Sequence, residues 1–382
     1  MGATQIRRMA ALLGAFMLVL GACSTPGQSP AGSERASEDP TTSAAVEPSG
    51  SGAAEPSGSA GGAASLPAPE LTSIRLGNSG SPTANTMHTI WAECENLPAK
   101  YGMEIEWLSF DGGSAAAQAL LAEQVEVADN SGGPAIASLA TDSPMVIAYV
   151  TRDNLTDNMY AQPDIQDAED LRGGSVAISS FGSQSHAGAL LALSVLGLTP
   201  EDVTITQVGN DAARLAALQA GSVTASMNDA TQEDELEGLG LNILVRLAEE
   251  VQAGEGGVPR TSLTFLRPFV EENPNTVLNL VAMYTEANHA WMQDAERSAE
   301  CLSEAAEISL EEAQAEVDAV LTEPWRPLDG RCDPVVMDFA KQTLTPENPD
   351  LEEVNAADAC TNDFVEQLEE MGFQAELGIE GY

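Results

Sequence analysis

The stretch LRGGSVAISSFGSQSHAGALLALSVLGLTPEDVTITQVGNDAARLAALQAGSVTASMNDA, residues 171–230, decides the fold of this chain. Three short runs within it, residues 176–179, 203–208 and 223–227, have the composition and length of strands. Between these runs lie two segments in which apolar residues recur at helical spacing. Strands that alternate with helices predict a parallel sheet covered by helices, so the predicted fold class is α/β.

Small polar loops follow all three predicted strands. In such sheets ligands bind beyond the carboxyl ends of the strands, so these loops form a predicted binding rim. Ser183 stands at the start of the first predicted helix. Free backbone amides and the helix dipole favour a polar or anionic group there, although capping alone would also explain the serine. The predicted ligand-binding residues of this half are Ser180, Gly182, Ser183, Gln184, Ser185, Asn210, Asp211, Asn228 and Asp229.

The first half of the chain repeats the order of strand, Gly/Ser loop and helix. Predicted strands cover residues 74–76, 104–110 and 125–128, and a helix is expected over residues 84–101. The loops after these strands are candidate ligand sites by the same reasoning, with ordinary helix capping as the alternative. These candidates are Ser79, Gly80, Ser81, Gly112, Gly113, Ser114, Ser131 and Gly132.

Two segments are predicted to cross between two lobes. A predicted strand over residues 144–150 leads into the first crossing, residues 151–170, and the second crossing covers residues 243–264. Arg152 lies just past the strand and is the candidate to bind an oxyanion, because a guanidinium offers paired donors; a surface salt bridge is the alternative. The glycines that permit backbone rotation in the second crossing are Gly254, Gly256 and Gly257.

The chain resembles the type II solute-binding proteins of ABC importers, in the branch that takes up nitrate, sulfonates, taurine or thiamine pyrimidine precursors. The resemblance rests on LRGGSVAISSFGSQSHAGALLALSVLGL, NDAARLAALQAGSVTASMND and VPRTSLTFLRPFVEENPNTVLNLVAMYTEANHAW, and it covers residues 73–339. It implies a two-lobed periplasmic-binding-protein-like fold, with two parallel-rich sheets flanked by helices and a helical C-terminal segment. On this basis we expect the first part of lobe 1 in residues 70–150. Residues 151–260 would hold the hinge crossings and lobe 2, and residues 261–382 would return to lobe 1.

The same resemblance implies a function without catalysis. The lobes would close on a small-molecule ligand, such as a sulfonate, taurine or nitrate, and deliver it to an ABC permease in the membrane. A thiamine pyrimidine precursor is the alternative ligand. A pyrimidine-synthase-like enzyme is the weaker alternative function, because those relatives carry a cysteine-rich run that this sequence lacks.

The N-terminal region has the pattern of a bacterial lipoprotein. Residues 1–22 combine a basic head, a short apolar run and small residues, as a secretory signal does. Cys23 directly follows Leu20-Gly21-Ala22, which is the lipobox pattern, with an ordinary signal peptide as the alternative. Residues 23–69 are poor in groups that bury apolar surface and predict a flexible tether. We therefore expect a lipid-anchored protein on the extracytoplasmic side of the cell membrane.

The formal net charge of −44 excludes nucleic acid as a partner, because phosphates would be repelled. The three histidines are far apart in sequence, and the chain carries no dinucleotide or phosphate-loop motif. We therefore expect no metal and no cofactor. We also expect a monomeric protein.

The cysteines predict disulfides in an exported chain. With Cys23 lipidated, an even number remains: Cys94, Cys301, Cys332 and Cys360. Three pairings are possible, and each joins Cys94 to the C-terminal segment and leaves one bridge inside that segment. In the family that the chain resembles, the C-terminal helices return to pack on lobe 1, which agrees with such a bridge. Free buried thiols are the alternative.

Overall fold

The computed structural model of the protein describes residues 66–80, 82–141, 143–154, 156–250, 257–322 and 329–379. Outside these residues lie the predicted signal segment, the tether up to residue 65 with Cys23, and also Ser81, Gly254 and Gly256. Within the described ranges, every helix is too short or too polar to cross a lipid bilayer.

Ten β-strands in the described ranges form two five-stranded sheets. The strands are β1 Ser73–Ser79, β2 Glu104–Phe110, β3 Val127–Asn130, β4 Met145–Arg152, β5 Asp157–Ala161, β6 Ser175–Ile178, β7 Thr204–Gln207, β8 Ala225–Asp229, β9 Asn242–Arg246 and β10 Thr261–Leu266. The first sheet has the order β2-β1-β3-β10-β4, and the second has the order β7-β6-β8-β5-β9. The first sheet and its helices are called lobe 1, and the second sheet and its helices lobe 2.

Each sheet is parallel apart from one strand. In lobe 1, β1 pairs in parallel with β2 and β3, while β10 is antiparallel to β3 and β4. In lobe 2, β6 pairs in parallel with β7 and β8, while β5 is antiparallel to β8 and β9. The antiparallel strand is in each case the first strand after the chain crosses from the other lobe. The predicted two-lobed α/β class with parallel-rich sheets is confirmed.

Sixteen α-helices flank the sheets within the described ranges. They are α1 Met87–Cys94, α2 Leu97–Lys100, α3 Gly113–Leu121, α4 Gly133–Ser138, α5 Ala168–Leu171, α6 Gln184–Val195, α7 Asp211–Gln219, α8 Glu233–Gly238, α9 Leu247–Glu250, α10 Arg267–Glu272, α11 Pro274–Gln293, α12 Ala295–Ala306, α13 Leu310–Thr322, α14 Pro334–Leu344, α15 Asp363–Glu370 and α16 Phe373–Glu376. Short 3₁₀ turns occur at Ala84–Thr86, Leu139–Thr141, Pro200–Asp202, Ala230–Gln232, Pro349–Glu353 and Ala356–Ala359. The helices after β10 form the expected C-terminal helical segment.

Helices α6 and α7 of lobe 2 both have side-chain caps at their starts, and α6 begins directly after Ser183, as the sequence predicts. The Ser183 side chain accepts a hydrogen bond from the backbone amide of His186, and the Asn210 side chain accepts one from the amide of Ala213. Both bonds satisfy amides that the first helical turn leaves unpaired. Gly197 follows the end of α6 with φ +69°, a left-handed conformation that glycine adopts without strain.

The expected single helix over residues 84–101 is wrong. The segment divides into the turn Ala84–Thr86, α1 and α2, because Asn96 adopts a left-handed φ of +50° and Pro98 has no amide hydrogen to donate. Both crossings are also shorter than predicted. Strand β5 lies inside the first predicted crossing, and β9 and β10 occupy the two ends of the second.

The C-terminal helices connect the two lobes. Helix α11 is buried along much of its length and packs on α1 and β4 in lobe 1. Helix α14 contacts α4 in lobe 1 and α6 in lobe 2. One disulfide, Cys94–Cys301, joins α1 to α12, and the other, Cys332–Cys360, lies inside the C-terminal segment. The structure therefore selects one of the three pairings that the sequence leaves open.

Candidate functional site

A cavity of about 420 Å³ lies between the two sheets, where the carboxyl ends of the parallel strands of both lobes meet. This volume is within the range typical of small-ligand sites. Lobe 1 contributes Ser79, Gly80, Thr83, Asn85, Thr86, Gly112, Gly113, Ser131, Arg260 and Thr261. Lobe 2 contributes Asp157, Ser179, Ser183, Gln184, Ser185, Asn210, Asp211, Arg214, Asp229, Thr231 and Gln232. The C-terminal segment adds Ile308, Glu312, Ala315 and Glu316.

The structure brings many of the predicted rim residues together on this cavity. Those that line it are Ser79, Gly80, Gly112, Gly113, Ser131, Ser183, Gln184, Ser185, Asn210, Asp211 and Asp229. Six others lie outside the lining, namely Ser114, Gly132, Arg152, Ser180, Gly182 and Asn228, and Ser81 lies outside the described residues. Their role in binding a ligand stays a prediction.

Three of the predicted residues outside the lining, Ser114, Asn228 and Gly182, lie next to residues that line the cavity. Ser114 of lobe 1 donates a hydrogen bond to the backbone carbonyl of Phe181 in lobe 2, so it links the lobes beside the cavity. Asn228 is buried, and its amide donates to the Asp211 carbonyl and to the Gln232 side chain. Gly182 has φ +78°, which shapes the turn before α6.

Three serines of lobe 2 form a hydrogen-bonded cluster at the start of α6. The Ser179 hydroxyl lies 2.9 Å from both the Ser183 and the Ser185 hydroxyls, and the Ser179 amide donates to the Ser185 hydroxyl at 2.8 Å. Because these hydroxyls bond one another, their orientation is fixed before any ligand arrives.

Arg152 and Arg260 lie side by side, because the amide of Arg260 donates to the carbonyl of Arg152 at 2.7 Å. Arg152 is buried and donates to the side-chain oxygen of Asn85, and it is not among the residues that line the cavity. Arg260 lines the cavity and donates to the carboxylate of Asp229. Asn85 donates to the same carboxylate at 2.7 Å and thereby joins lobe 1 to lobe 2.

The carboxyl groups of the cavity differ in their ionisation. Burial raises the pKa of Asp157 to about 6; the positive charges of Arg260 and Arg214 oppose this shift, and the negative charges of Asp229 and Asp211 add to it. Burial would also raise the pKa of Asp229, but the charge of Arg260 and hydrogen bonds from Thr231 outweigh it, and the net shift is downward. Burial raises the pKa of Glu316 as well, with the negative charge of Asp229 contributing.

Helix α13 closes the cavity on one side. It contacts the turn Ala84–Thr86 of lobe 1 and the turn Ala230–Gln232 of lobe 2, and Glu312 and Glu316 on it line the cavity. The Glu316 carboxylate accepts a hydrogen bond from the amide of Ala84 at 3.3 Å. Glu312 is exposed, yet it stands at the cavity edge.

Two hydroxyls on the lobe 1 side complete the wall. The Ser131 and Thr261 side-chain oxygens are buried and have no hydrogen-bond partner in the described part of the chain. Ser131 is 6% exposed, and both residues line the cavity. Polar atoms buried in this way are normally hydrogen-bonded, so these two are suited to meet a polar group of a ligand.

The described residues hold one group with the composition of a metal site, Cys94, Glu95 and Cys301, which lies apart from the cavity. Its two sulfur atoms are bonded to each other in a disulfide, so neither is a thiolate ligand.

Two parallel-rich sheets with a polar cavity between their carboxyl ends define a two-lobed periplasmic-binding-protein fold. The chain matches the NMT1-like family over residues 67–307 and belongs to that family. A comparison with curated protein sequences gave no match.

Three solved structures share the fold at low sequence identity. A protein from Bordetella bronchiseptica RB50 is 22% identical with a TM-score of 0.69, covering 79% of this chain and 98% of that chain. The alkanesulfonate-binding protein SsuA from Xanthomonas axonopodis pv. citri, bound to MOPS, is 19% identical with a TM-score of 0.62, covering 76% and 99%. The periplasmic nitrate-binding protein NrtA from Synechocystis PCC 6803 is 15% identical with a TM-score of 0.63, covering 81% and 92%.

Proposed function

We propose that this chain is the solute-binding protein of an ABC importer, which captures a small polar solute between its lobes and delivers it to a membrane permease. The observation that carries the proposal is the 420 Å³ cavity, lined by polar loops from both lobes. Membership of the NMT1-like family and similarity to alkanesulfonate-binding and nitrate-binding proteins support a binding role without a catalytic step.

The binding step in this proposal is closure of the lobes. The bonds from Asn85 and Arg260 to Asp229, and from Ser114 to Phe181, join the two lobes. A solute that contacts both lobes stabilises this closed arrangement by its greater affinity for it. The permease would then recognise the closed form.

In this proposal the protein lies on the extracytoplasmic face of the membrane. Lipidation of Cys23 would anchor it there, and residues 24–65 would let the lobes reach the permease. A diffusing solute would thus be held close to its transporter.

A ligand-release experiment tests the binding function. The natively purified protein is denatured, and the released small molecules are identified by mass spectrometry. The ligand-free refolded protein is then screened by thermal shift against nitrate, taurine, alkanesulfonates, aminopyrimidines and small amines. A solute at a hundred times its Kd should stabilise the fold by about 2.7 kcal/mol. Absence of both a released molecule and any stabilisation would overturn the proposal.

A further inference from the structure

The side chains that line the cavity carry more negative than positive charge. The carboxylates are those of Asp157, Asp211, Asp229, Glu312 and Glu316, and the guanidiniums are those of Arg214 and Arg260. In a site enclosed by protein, such an imbalance acts on a ligand more strongly than surface charges do, because water screens it less.

Both guanidiniums are already bound to protein acceptors. Arg214 donates to the Asp211 carboxylate, to the Met227 carbonyl at 2.7 Å and to the Gly209 carbonyl at 2.8 Å. Arg260 is paired with Asp229. An anionic ligand would have to compete with these internal carboxylates for each guanidinium.

Asp157 and Glu316 face the cavity without an ion-pair partner among the described residues. Asp157 is 5% exposed, and its carboxylate accepts a hydrogen bond from the side-chain amide of Gln184 at 2.9 Å. Glu316 accepts one from the Ala84 amide. The pKa of each is raised, which means that burial destabilises the ionised form of these carboxyl groups in the free protein. A nearby cation would stabilise the ionised form.

Ser131 gives an independent indication of a ligand at the same place. Its hydroxyl is more than nine-tenths buried, lines the cavity and has no partner in the described part of the chain. A hydroxyl oxygen can accept a hydrogen bond from an ammonium or amidinium, whose N–H groups require several acceptors.

We infer that the cleft binds a small organic cation, whose protonated amine or amidinium is recognised by Asp157 and Glu316, with Ser131 as a further acceptor. The inference rests on the proposed solute-binding function and narrows it to a class of ligand.

Helix α3 begins at Gly113 on the cavity wall, and no side chain caps its start, because the N-cap residue is Gly112. The free amides there can donate to a hydroxyl or carbonyl oxygen of the same ligand.

Matched compounds that differ in charge test this inference. Ethanolamine is a cation, isethionate an anion and taurine a zwitterion on the same two-carbon skeleton, and agmatine supplies a guanidinium probe. Thermal shift and calorimetry are run with each compound on the ligand-free protein, and the molecule released from the native protein is identified in parallel. We expect stabilisation by cationic probes and a released ligand that carries a basic nitrogen.

Variants locate the interaction. Asp157→Asn and Glu316→Gln should each weaken binding of the stabilising cation by about tenfold to a hundredfold, as expected for loss of a charge-assisted hydrogen bond. Glu311→Gln is the matched control, because it removes one negative charge from the same helix outside the cavity lining and should leave affinity unchanged.

The outcomes separate this inference from the function on which it rests. Stabilisation by isethionate or nitrate, or release of an anion, would overturn the cationic class and leave the solute-binding function in place. Cation binding that is equally strong in both cavity variants would overturn the assignment of Asp157 and Glu316. A protein that releases no small molecule and responds to no probe would overturn both proposals.

Discussion

Removing the Cys94–Cys301 disulfide should destabilise the protein more than removing Cys332–Cys360. The first bridge closes a loop with a sequence separation of 207, and the second closes one of 28. In the chain-entropy model these loops correspond to about 5 kcal/mol and about 3.5 kcal/mol of stability. The free energies of unfolding of the two double serine variants should therefore differ by about 1.5 kcal/mol.

The long bridge should also affect the cavity, because it joins α1 to α12, and α12 packs on α13. Glu316 reaches the cavity from α13, so Cys94→Ser/Cys301→Ser should bind ligand more weakly than the wild type. The short bridge joins segments that lie outside the cavity lining, so Cys332→Ser/Cys360→Ser should retain affinity.

Urea denaturation of the wild type and both variants measures the free energies of unfolding, and calorimetry with the solute identified by ligand release measures affinity. A smaller loss of stability in the Cys94→Ser/Cys301→Ser variant than in the other would refute the loop-length argument. Equal affinity of both variants would show that the disulfide does not position α13.

Two further predictions concern Asp157 and Cys23. The pKa of Asp157 is about 6 in the folded state, against an ordinary value of 3.8, so this carboxyl ionises first in the unfolded chain as pH rises. Relative to its value below pH 4, the free energy of unfolding should therefore be lower by about 3 kcal/mol above pH 6. Asp157→Asn should therefore raise the free energy of unfolding at pH 7.5 and change it little at pH 4, and equal effects at both pH values would contradict the assigned shift. The groups that act on this carboxyl are Asp229, Asp211, Arg260 and Arg214. Cys23→Ala should release the protein from membranes into the soluble fraction, whereas a variant that stays with membranes after a salt wash would disprove the lipid anchor.

The local pattern was sufficient to predict the parallel part of the fold. The capped starts of α6 and α7 and the alternation of strands and helices are encoded within a few residues, so one stretch identifies them. The break at Asn96 was missed, because a left-handed non-glycine residue has little signature in a single sequence. The pairing of Cys94 with Cys301 depends on packing of α12 against α1, which no local pattern contains.

The antiparallel strands explain why the rule used for the site missed Asp157 and Arg260. That rule looks for loops after the carboxyl ends of parallel strands, and it located Ser79, Ser183 and Asp229 on the cavity. Strands β5 and β10 run the other way, so their first residues, rather than their last, lie at the same edge of each sheet.

Asp157 begins β5, and Arg260 immediately precedes β10. Both therefore reach the cavity from positions that the rule excludes, while Arg152, at the end of β4, lies beside Arg260 and outside the lining. An arginine or aspartate at the start of the first strand after each crossing is the signal that would have identified them. Using this signal requires knowing that the crossing reverses the strand direction, so that the start of the strand, and not its end, reaches the cavity.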